Sequence, residues 1–216
     1  MKVAILGTGQ VAIDLAKGFI SRGHSVVFGT RDVQGEKAVK AVAAVAGSSA
    51  APYAQAAAQA DMAVLATAWS GTQNAVQLTG NEALKGKLLI DVTNPLDFST
   101  GKPQMALGFP NSAGQSIQAW LPDAKIVKAF NIITSTRMID PKFVDGHADM
   151  FIAGNDAAAK KQVADLLKAF GWRSAIDMGD ISKSYLLEAL AMTWIEYGVN
   201  RNHWSHGFSL LGSQAA

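Results

Sequence analysis

The sequence contains no cysteine among its 216 residues. This absence excludes a disulfide framework, a thiolate nucleophile and a metal site built on cysteine. No run of basic residues occurs either, and the net charge is only +2, so neither nucleic acid nor an anionic membrane surface is expected as a partner. Charged residues or glycine interrupt the longest apolar stretches. We therefore expect no membrane-spanning segment, no signal peptide and a cytoplasmic location.

Apolar residues make up 49% of the chain and occur in two alternating patterns. Short runs such as residues 88–92 are typical of buried strands, and segments such as residues 36–46 have helical periodicity. This alternation predicts an α/β protein with a Rossmann-like, doubly wound, mostly parallel sheet. From Ile181 one long helix is predicted, with an apolar stripe through Leu187, Leu190, Trp194 and Tyr197. We therefore divide the chain into a dinucleotide-binding domain, residues 1–178, and a small helical C-terminal lobe, residues 179–216.

The amino-terminal residues carry the strongest motif. A predicted strand, Lys2 to Leu6, leads directly into Gly7-Thr8-Gly9-Gln10-Val11-Ala12, and a helix and a second strand follow. Strand, GxGxxA turn, helix and strand in this order indicate a dinucleotide site. Gly7 permits the tight turn, and Gly9 lets the backbone approach a pyrophosphate. The helix that begins at Gln10 and Val11 directs its positive end at that anion.

The residues after the second strand predict which dinucleotide binds. An NAD site places a carboxylate about 20 residues beyond the glycines, whereas Gly29-Thr30-Arg31-Asp32 stands at that position here. The Thr30 hydroxyl and the planar Arg31 guanidinium suit a 2′-phosphate. Asp32 lies beyond the strand end and is interpreted as a cap of the next helix. NADP(H) is therefore the predicted cofactor.

Three loops follow the carboxyl ends of later strands, where a ligand crosses such a sheet. They are Thr67-Ala68-Trp69, Thr93-Asn94-Pro95 and Phe130-Asn131. The amides of Asn94 and Asn131 both donate and accept, which suits the nicotinamide carboxamide or a substrate carbonyl. We assign the first two loops to cofactor binding, with Trp69 also forming one wall of a flat pocket. The substrate pocket is assigned to Trp69, Leu96, Phe130, Asn131 and Met192.

Candidates for a proton donor are few. His203 and His206 would share one face of a helix, but a zinc site needs further ligands, and no metal is predicted. Lys183 opens the last helix, where a cation is electrostatically unfavourable and could serve as a general acid. The alternative is that its aliphatic chain simply covers apolar surface. Reduction of a carbonyl or imine needs a placed proton, whereas hydride exchange with a flavin-like ring can take its proton from solvent.

Several segments, in order along nearly the whole chain, resemble a known family. They are Gly7-Thr8-Gly9, Gly29-Thr30-Arg31, Ala63-Val64-Leu65 with Trp69, Leu89-Ile90-Asp91-Val92, Val127-Lys128-Ala129-Phe130-Asn131 and Leu187-Glu188-Ala189-Leu190-Ala191-Met192. The chain resembles the NADP-dependent reductases of the deazaflavin coenzyme F-420, and the related cytosolic reductase domain of six-transmembrane ferric reductases. Ala12, in place of a third glycine, and residues 93–97 depart from the deazaflavin reductases.

The resemblance implies that Thr30 and Arg31 bind the 2′-phosphate and that the C-terminal helices form a homodimer. It also implies that a deazaflavin or flavin lies against the nicotinamide, between the two lobes. We therefore predict an NADP(H)-dependent oxidoreductase that exchanges hydride with coenzyme F420, or with FMN or FAD. Two alternatives stay open: a small carbonyl or imine reductase with Lys183 as acid, and a non-catalytic module that senses NADPH.

Overall fold

The computed structural model describes residues 1–144 and 146–212, and an eight-stranded sheet is its main feature. The strands are β1 (Lys2–Leu6), β2 (Ser25–Thr30), β3 (Ser49–Pro52), β4 (Met62–Leu65), β5 (Leu88–Asp91), β6 (Leu96–Asp97), β7 (Gln104–Met105), β8 (Lys125–Lys128), β9 (Lys142–Phe143), β10 (Gly146–His147), β11 (Met150–Gly154) and β12 (Ala175–Asp177). The order in the large sheet is β12-β11-β8-β5-β4-β1-β2-β3. The short strands form two separate pairs, β6 with β7 and β9 with β10.

Helices fill most of the connections between these strands. They are α1 (Gln10–Ile20), α2 (Glu36–Ala44), α3 (Tyr53–Ala58), α4 (Trp69–Thr79), α5 (Asn81–Leu84), α6 (Ala113–Trp120), α7 (Ser135–Met138), α8 (Ala157–Ala169) and α9 (Ser184–Arg201), the last preceded by a 3₁₀ turn, Ile181–Lys183. In the part of the chain that the structure describes, no helix is both long enough and apolar enough to span a membrane.

Strand β1 marks the point where the sheet changes direction of growth. It pairs in parallel with β2 on one side and with β4 on the other, so one half-sheet is β1-β2-β3 and the other is β4-β5-β8. Such a switch point binds ligands across the carboxyl ends of the strands. We call the carboxyl ends of β1, β2, β4, β5 and β8 the carboxyl edge.

The predicted Rossmann-like, mostly parallel sheet is confirmed, with one reversal near its end. Strand β11 runs antiparallel to β8, and the edge strand β12 runs parallel to β11. The connection from β8 to β11 holds only α7 and the β9–β10 pair, which contain no helix long enough to cross the sheet. The chain therefore re-enters the sheet from the edge at which it left.

Two apolar cores cover the two faces of the sheet. One contains Val3 and Ile5 of β1 with buried residues of α1, α2 and α8, and the other contains Ala4 and Leu6 with residues of α3, α4 and α6. Ile181 belongs to the second core and Ala191 to the first. Helix α9 therefore packs directly against the elements of the sheet.

The buried face of α9 differs from the predicted apolar stripe. Its buried residues are Ser184, Leu187, Glu188, Ala191, Trp194 and Gly198, whereas Tyr197 is 50% exposed. Helix α6 approaches closely at Ser184, since a Cβ on Gly114 of α6 would collide with the Ser184 side chain. The carboxylate of Glu188 also lies on this buried face.

Candidate active site

The glycine turn between β1 and α1 leaves a helix N-terminus open at the carboxyl edge. Gly7 adopts a φ of +129°, and a Cβ there would collide with the Ala66 carbonyl. Gly9 is the N-cap of α1, has no side-chain cap, and no acidic residue lies in the first turn. A Cβ on Gly9 would meet no described atom within 4 Å. The exposed turn thus offers uncompensated amide donors and open space to an anion.

Substitution of Gly9 should affect ligand binding, whereas substitution of Gly7 should affect stability. Gly9→Ala should leave the thermal unfolding midpoint unchanged, because its φ of −80° suits alanine, but cost about 1–3 kcal/mol of NADPH binding through overpacking against the ligand. Gly7→Ala should destabilise the fold by more than about 1 kcal/mol because of its positive φ. Thermal unfolding and NADPH titration of both variants test this. Unaltered NADPH affinity in Gly9→Ala would show that no ligand fills this space.

The loop after β2 leaves Arg31 exposed at the carboxyl edge. The Thr30 hydroxyl donates to the Asp32 carbonyl at 3.2 Å, which fixes the loop. Within residues 1–144 and 146–212, the Arg31 guanidinium has no hydrogen-bond or ion-pair partner. Burial raises the pKa of Tyr53, and the charge of the nearby Arg31 offsets part of that rise. A free guanidinium therefore lies near the buried Tyr53 side chain.

Asp32 does not cap helix α2, contrary to the prediction. The N-cap is Gly35, without a side-chain hydrogen bond, and the Asp32 carboxylate accepts from the amide of Gln34 at 2.9 Å. Asp32 lies too far before the helix to reach its first amides, so it closes a local turn instead. This turn holds the loop that carries Arg31.

The loop after β4 is braced by hydroxyl groups. The hydroxyls of Thr67 and Thr72 are 2.9 Å apart, and Thr72 donates to the carbonyl of Ala68 at 3.1 Å. The Trp69 ring stacks on Trp120 of α6, with centroids 6.0 Å apart. Trp69 is thus half-buried against a helix, and only part of its ring is free to face a ligand.

Asn94 and Asn131, predicted as functional, are brought together at the carboxyl edge. The Asn94 amide donates to the Asn131 carbonyl at 2.8 Å, and the Asn131 amide donates to the Asn94 side-chain oxygen at 2.9 Å and to the Leu187 carbonyl at 3.0 Å. The Oδ1 atom of Asn131 is buried and has no partner among the described residues. Buried acceptors are rarely left unpaired, so this oxygen is suited to a donor group of a ligand.

Phe130 does not line a pocket, contrary to the prediction. Its side chain is 1% exposed and its ring lies in the core, 6.0 Å from that of Phe170. Its φ of +64° is unusual for a bulky residue and indicates local strain. This turn of the backbone directs Phe130 into the core while Asn131 lies beside Asn94. Of the other pocket candidates, Leu96 in β6 and Met192 in α9 are half-buried; Pro95, assigned to cofactor binding, is buried.

A fully buried charge cluster lies below the asparagine pair, and its role was not predicted from the sequence. The Lys128 ammonium is 2.7 Å from the Asp91 carboxylate and 3.0 Å from the Glu188 carboxylate, and it donates to the Thr93 carbonyl at 2.7 Å. Burial alone lowers the pKa of Lys128, but the two carboxylates raise it above its ordinary value. Lys128 and Glu188 belong to two of the segments that carry the family resemblance, which is one sequence signal that could have identified them.

Lys183 lies away from the carboxyl edge. It closes the 3₁₀ turn beside Gly179, whose carbonyl accepts from the Gly154 amide at the end of β11. Because β11 is antiparallel to β8, its end lies towards the amino ends of the parallel strands. The structure therefore does not bring Lys183 to the predicted nicotinamide region.

The C-terminal histidines lie in an irregular segment after α9 and not on a helix. The ring nitrogens Nε2 of His203 and His206 are 2.9 Å and 3.0 Å from the carbonyls of Ser205 and Trp194. The described residues include no group of three or more His, Asp or Glu side chains placed to hold a metal ion. A cavity of about 680 Å³ opens beside these histidines, lined also by Arg137, Arg173 and Tyr197. None of the residues assigned to the substrate pocket contributes to its lining.

Comparisons with known proteins extend this description. Residues 2–95 match the family described as NADP oxidoreductase coenzyme F420-dependent. The chain is 30% identical over 219 residues to the F420-dependent NADP reductase of Methanocaldococcus jannaschii, covering 96% of each protein. It is 29% identical over 192 residues to the Metalloreductase STEAP3 of Rattus norvegicus, covering 88% of this chain but only 36% of that protein. A crystal structure from Arthrobacter sp. FB24, provisionally called an F420-dependent NADP reductase, superposes with a TM-score of 0.93 at 36% identity, covering 98% of this chain and 100% of that one.

Proposed function

The chain belongs to the family of F420-dependent NADP oxidoreductases, and from that premise we propose that it transfers hydride between NADPH and a deazaflavin of the coenzyme F420 type. The oxidoreductase class and the use of NADP follow from the family. The acceptor is supported by one observation above others: the similarity to the M. jannaschii enzyme covers 96% of both chains. The similarity therefore extends over nearly the whole of both chains.

The described residues fit NADP(H) along the whole carboxyl edge. The open amides after Gly9 suit the pyrophosphate, and the free guanidinium of Arg31 suits the 2′-phosphate. At the other half-sheet, the unpaired Oδ1 of Asn131 is suited to accept from the nicotinamide carboxamide. A bound cofactor would thus be held by residues of β2, β1 and β4 and of the loops that follow β5 and β8.

The side chains at this edge are suited to orientation and not to acid–base chemistry. Once bound, NADPH supplies a hydride and the acceptor ring receives it. Threonine and asparagine side chains do not titrate near neutral pH, and all three donors of Lys128 are already engaged. We infer that Thr67, Asn94 and Asn131 hold the reacting rings in register, while solvent supplies the proton. A flavin-like acceptor fits this arrangement better than a carbonyl.

Steady-state oxidation of NADPH tests the proposal most directly. The purified protein is given the deazaflavin, FMN, FAD and a ferric chelate separately, and the loss of NADPH absorbance is followed. We expect rapid turnover with the deazaflavin and little with the others. Turnover with only FMN, FAD or the ferric chelate would refute the deazaflavin as acceptor and favour chemistry like that of a metalloreductase. The cytoplasmic location stays a prediction that this assay does not address.

We also propose that the protein is a homodimer through α9. Leu186 and Tyr197 lie three turns apart on the same face of α9 and are 38% and 50% exposed, an apolar surface that a partner helix would cover. Light scattering during gel filtration should give twice the chain mass of 22.7 kDa. Leu186→Glu with Tyr197→Glu should yield monomer, whereas Val199→Glu, on another face, should not. A monomeric native protein at micromolar concentration would refute this interface.

A further inference from the structure

We propose that Lys128 is a positioning residue. With Asp91 and Glu188 it fixes the loop Thr93-Asn94-Pro95, here called the nicotinamide loop, and joins that loop to helix α9. Asp91 and Lys128 are the last residues of the neighbouring strands β5 and β8 and are paired in register. Both therefore lie at the carboxyl edge, in the half-sheet opposite the Arg31 half. The inference rests on the proposed function only in placing the nicotinamide at this half.

Several short contacts hold the cluster and restrict its movement. Lys128 has three ammonium hydrogens and three oxygen partners, so no donor is left for a substrate. The other oxygen of Asp91 accepts from both the amide and the hydroxyl of Thr93, at 2.9 Å and 2.7 Å. Glu188 accepts from the first amides of α6, those of Ala113 and Gly114, at 3.0 Å and 3.2 Å. Each group is thereby held from at least two directions.

Two parallel connections run from α9 to the nicotinamide loop. In the first, Glu188 pairs with Lys128, which donates to the Thr93 carbonyl. In the second, the Asn131 amide donates to both the Leu187 carbonyl and the side-chain oxygen of Asn94. Both begin on adjacent residues of α9 and end on adjacent residues of the loop. A shift of α9 would therefore move the Asn94–Asn131 pair. The position of the helix and the geometry at the nicotinamide are thus coupled.

Stability alone does not account for such a cluster. One cation and two carboxylates are buried with no solvent contact, and apolar side chains of similar size are often at least as stabilising as a buried ion pair. What the ions add is direction, because each hydrogen bond fixes an angle as well as a distance. The geometry points to precise placement of residues 93 and 94 as the purpose of the cluster.

A comparison of two ligands tests the inference without any acceptor. The double variant Lys128→Met with Glu188→Gln keeps the net charge of the cluster at −1, because only Asp91 remains. In the proposed binding mode, the fragment 2′,5′-ADP would contact only the Arg31 half of the edge, whereas NADPH would also reach the loop at residues 93 and 94. We expect the Kd for 2′,5′-ADP to stay within about twofold and the Kd for NADPH to rise about tenfold, with altered fluorescence of the bound reduced nicotinamide.

The acceptor assay adds a second readout. Hydride transfer should slow about 100-fold at saturating NADPH, since small misplacements of reacting groups have effects of this size. If the double variant does not fold, Glu188→Gln alone should raise the ratio of the two Kd values about threefold. Equal loss of both ligands, or no change in either, would overturn the inference. Absence of turnover by the native protein with every acceptor would instead count against the proposed function, and the ligand comparison would still stand.

Discussion

Replacing Arg31 by alanine is expected to weaken NADPH binding about 10- to 150-fold and to leave NADH binding nearly unchanged. Charged hydrogen bonds contribute about 1.5–3 kcal/mol each beyond solvation, and the guanidinium presents a planar fork of donors that fits a phosphate. Arg31 is exposed and unpaired within the described residues, so no internal contact is lost on substitution. The effect should therefore appear in ligand binding and not in the unfolding midpoint. Titration of both dinucleotides against the native protein and the variant measures it.

Two further variants show whether geometry or charge alone binds the phosphate. Arg31→Lys should recover only part of the affinity, because an ammonium is a point charge without the planar fork. Lys37→Ala removes an exposed cation from the next helix and should have little effect on NADPH. Equal weakening of NADPH and NADH by Arg31→Ala would mean that Arg31 does not contact the 2′-phosphate. Equal effects of Arg31→Ala and Lys37→Ala would mean that only the general positive potential matters.

The amino-terminal half of the fold was predictable because its signals are local. Strand β1, the glycine turn and α1 lie next to one another in sequence, and each is marked by residue type alone. Helix α2 shows the limit of that reasoning. The predicted helix is confirmed over Glu36–Ala44, but its pattern does not say which side is buried: Val39 is 51% exposed, while Ala38 and Ala41 are buried. Alanine-rich helices carry little contrast between faces, so a tertiary contact decides which face is covered.

The Lys128 cluster was not predictable in the same way, because its members are far apart in the chain. Asp91, Lys128 and Glu188 belong to β5, β8 and α9, and only the sheet order brings them together. The local patterns even opposed the result: Glu188 interrupts an apolar helix, and Lys128 ends an apolar strand. A charged residue within an otherwise apolar pattern is costly to bury unless it is paired. Two such residues of opposite charge were the signal that these segments meet.

The largest stability effect is expected for Lys128→Met. The substitution leaves the carboxylates of Asp91 and Glu188 buried together without their cation, and removing one partner of a buried ion pair typically costs about 3–5 kcal/mol. We therefore expect the urea midpoint of unfolding to fall sharply. The same replacement three residues earlier, Lys125→Met, is the matched control: Lys125 begins the same strand, but its side chain is 42% exposed and its partner Asp156 is 3.2 Å away at the surface. That variant should unfold almost as the native protein does.

A compensated variant separates charge from packing. Asp91→Asn, Lys128→Met and Glu188→Gln together remove all three charges, while the side-chain oxygens of the two amides can still accept from Thr93 and from one of the two amides at the start of α6. If stranded charge is the cause, this triple variant should regain most of the stability that Lys128→Met loses, as buried ion clusters replaced by neutral groups commonly do. If it stays as unstable as the single variant, packing of the lysine chain stabilises the fold. Recovered stability together with weakened NADPH binding would show that the charges position the loop at residues 93 and 94 and do not stabilise the fold.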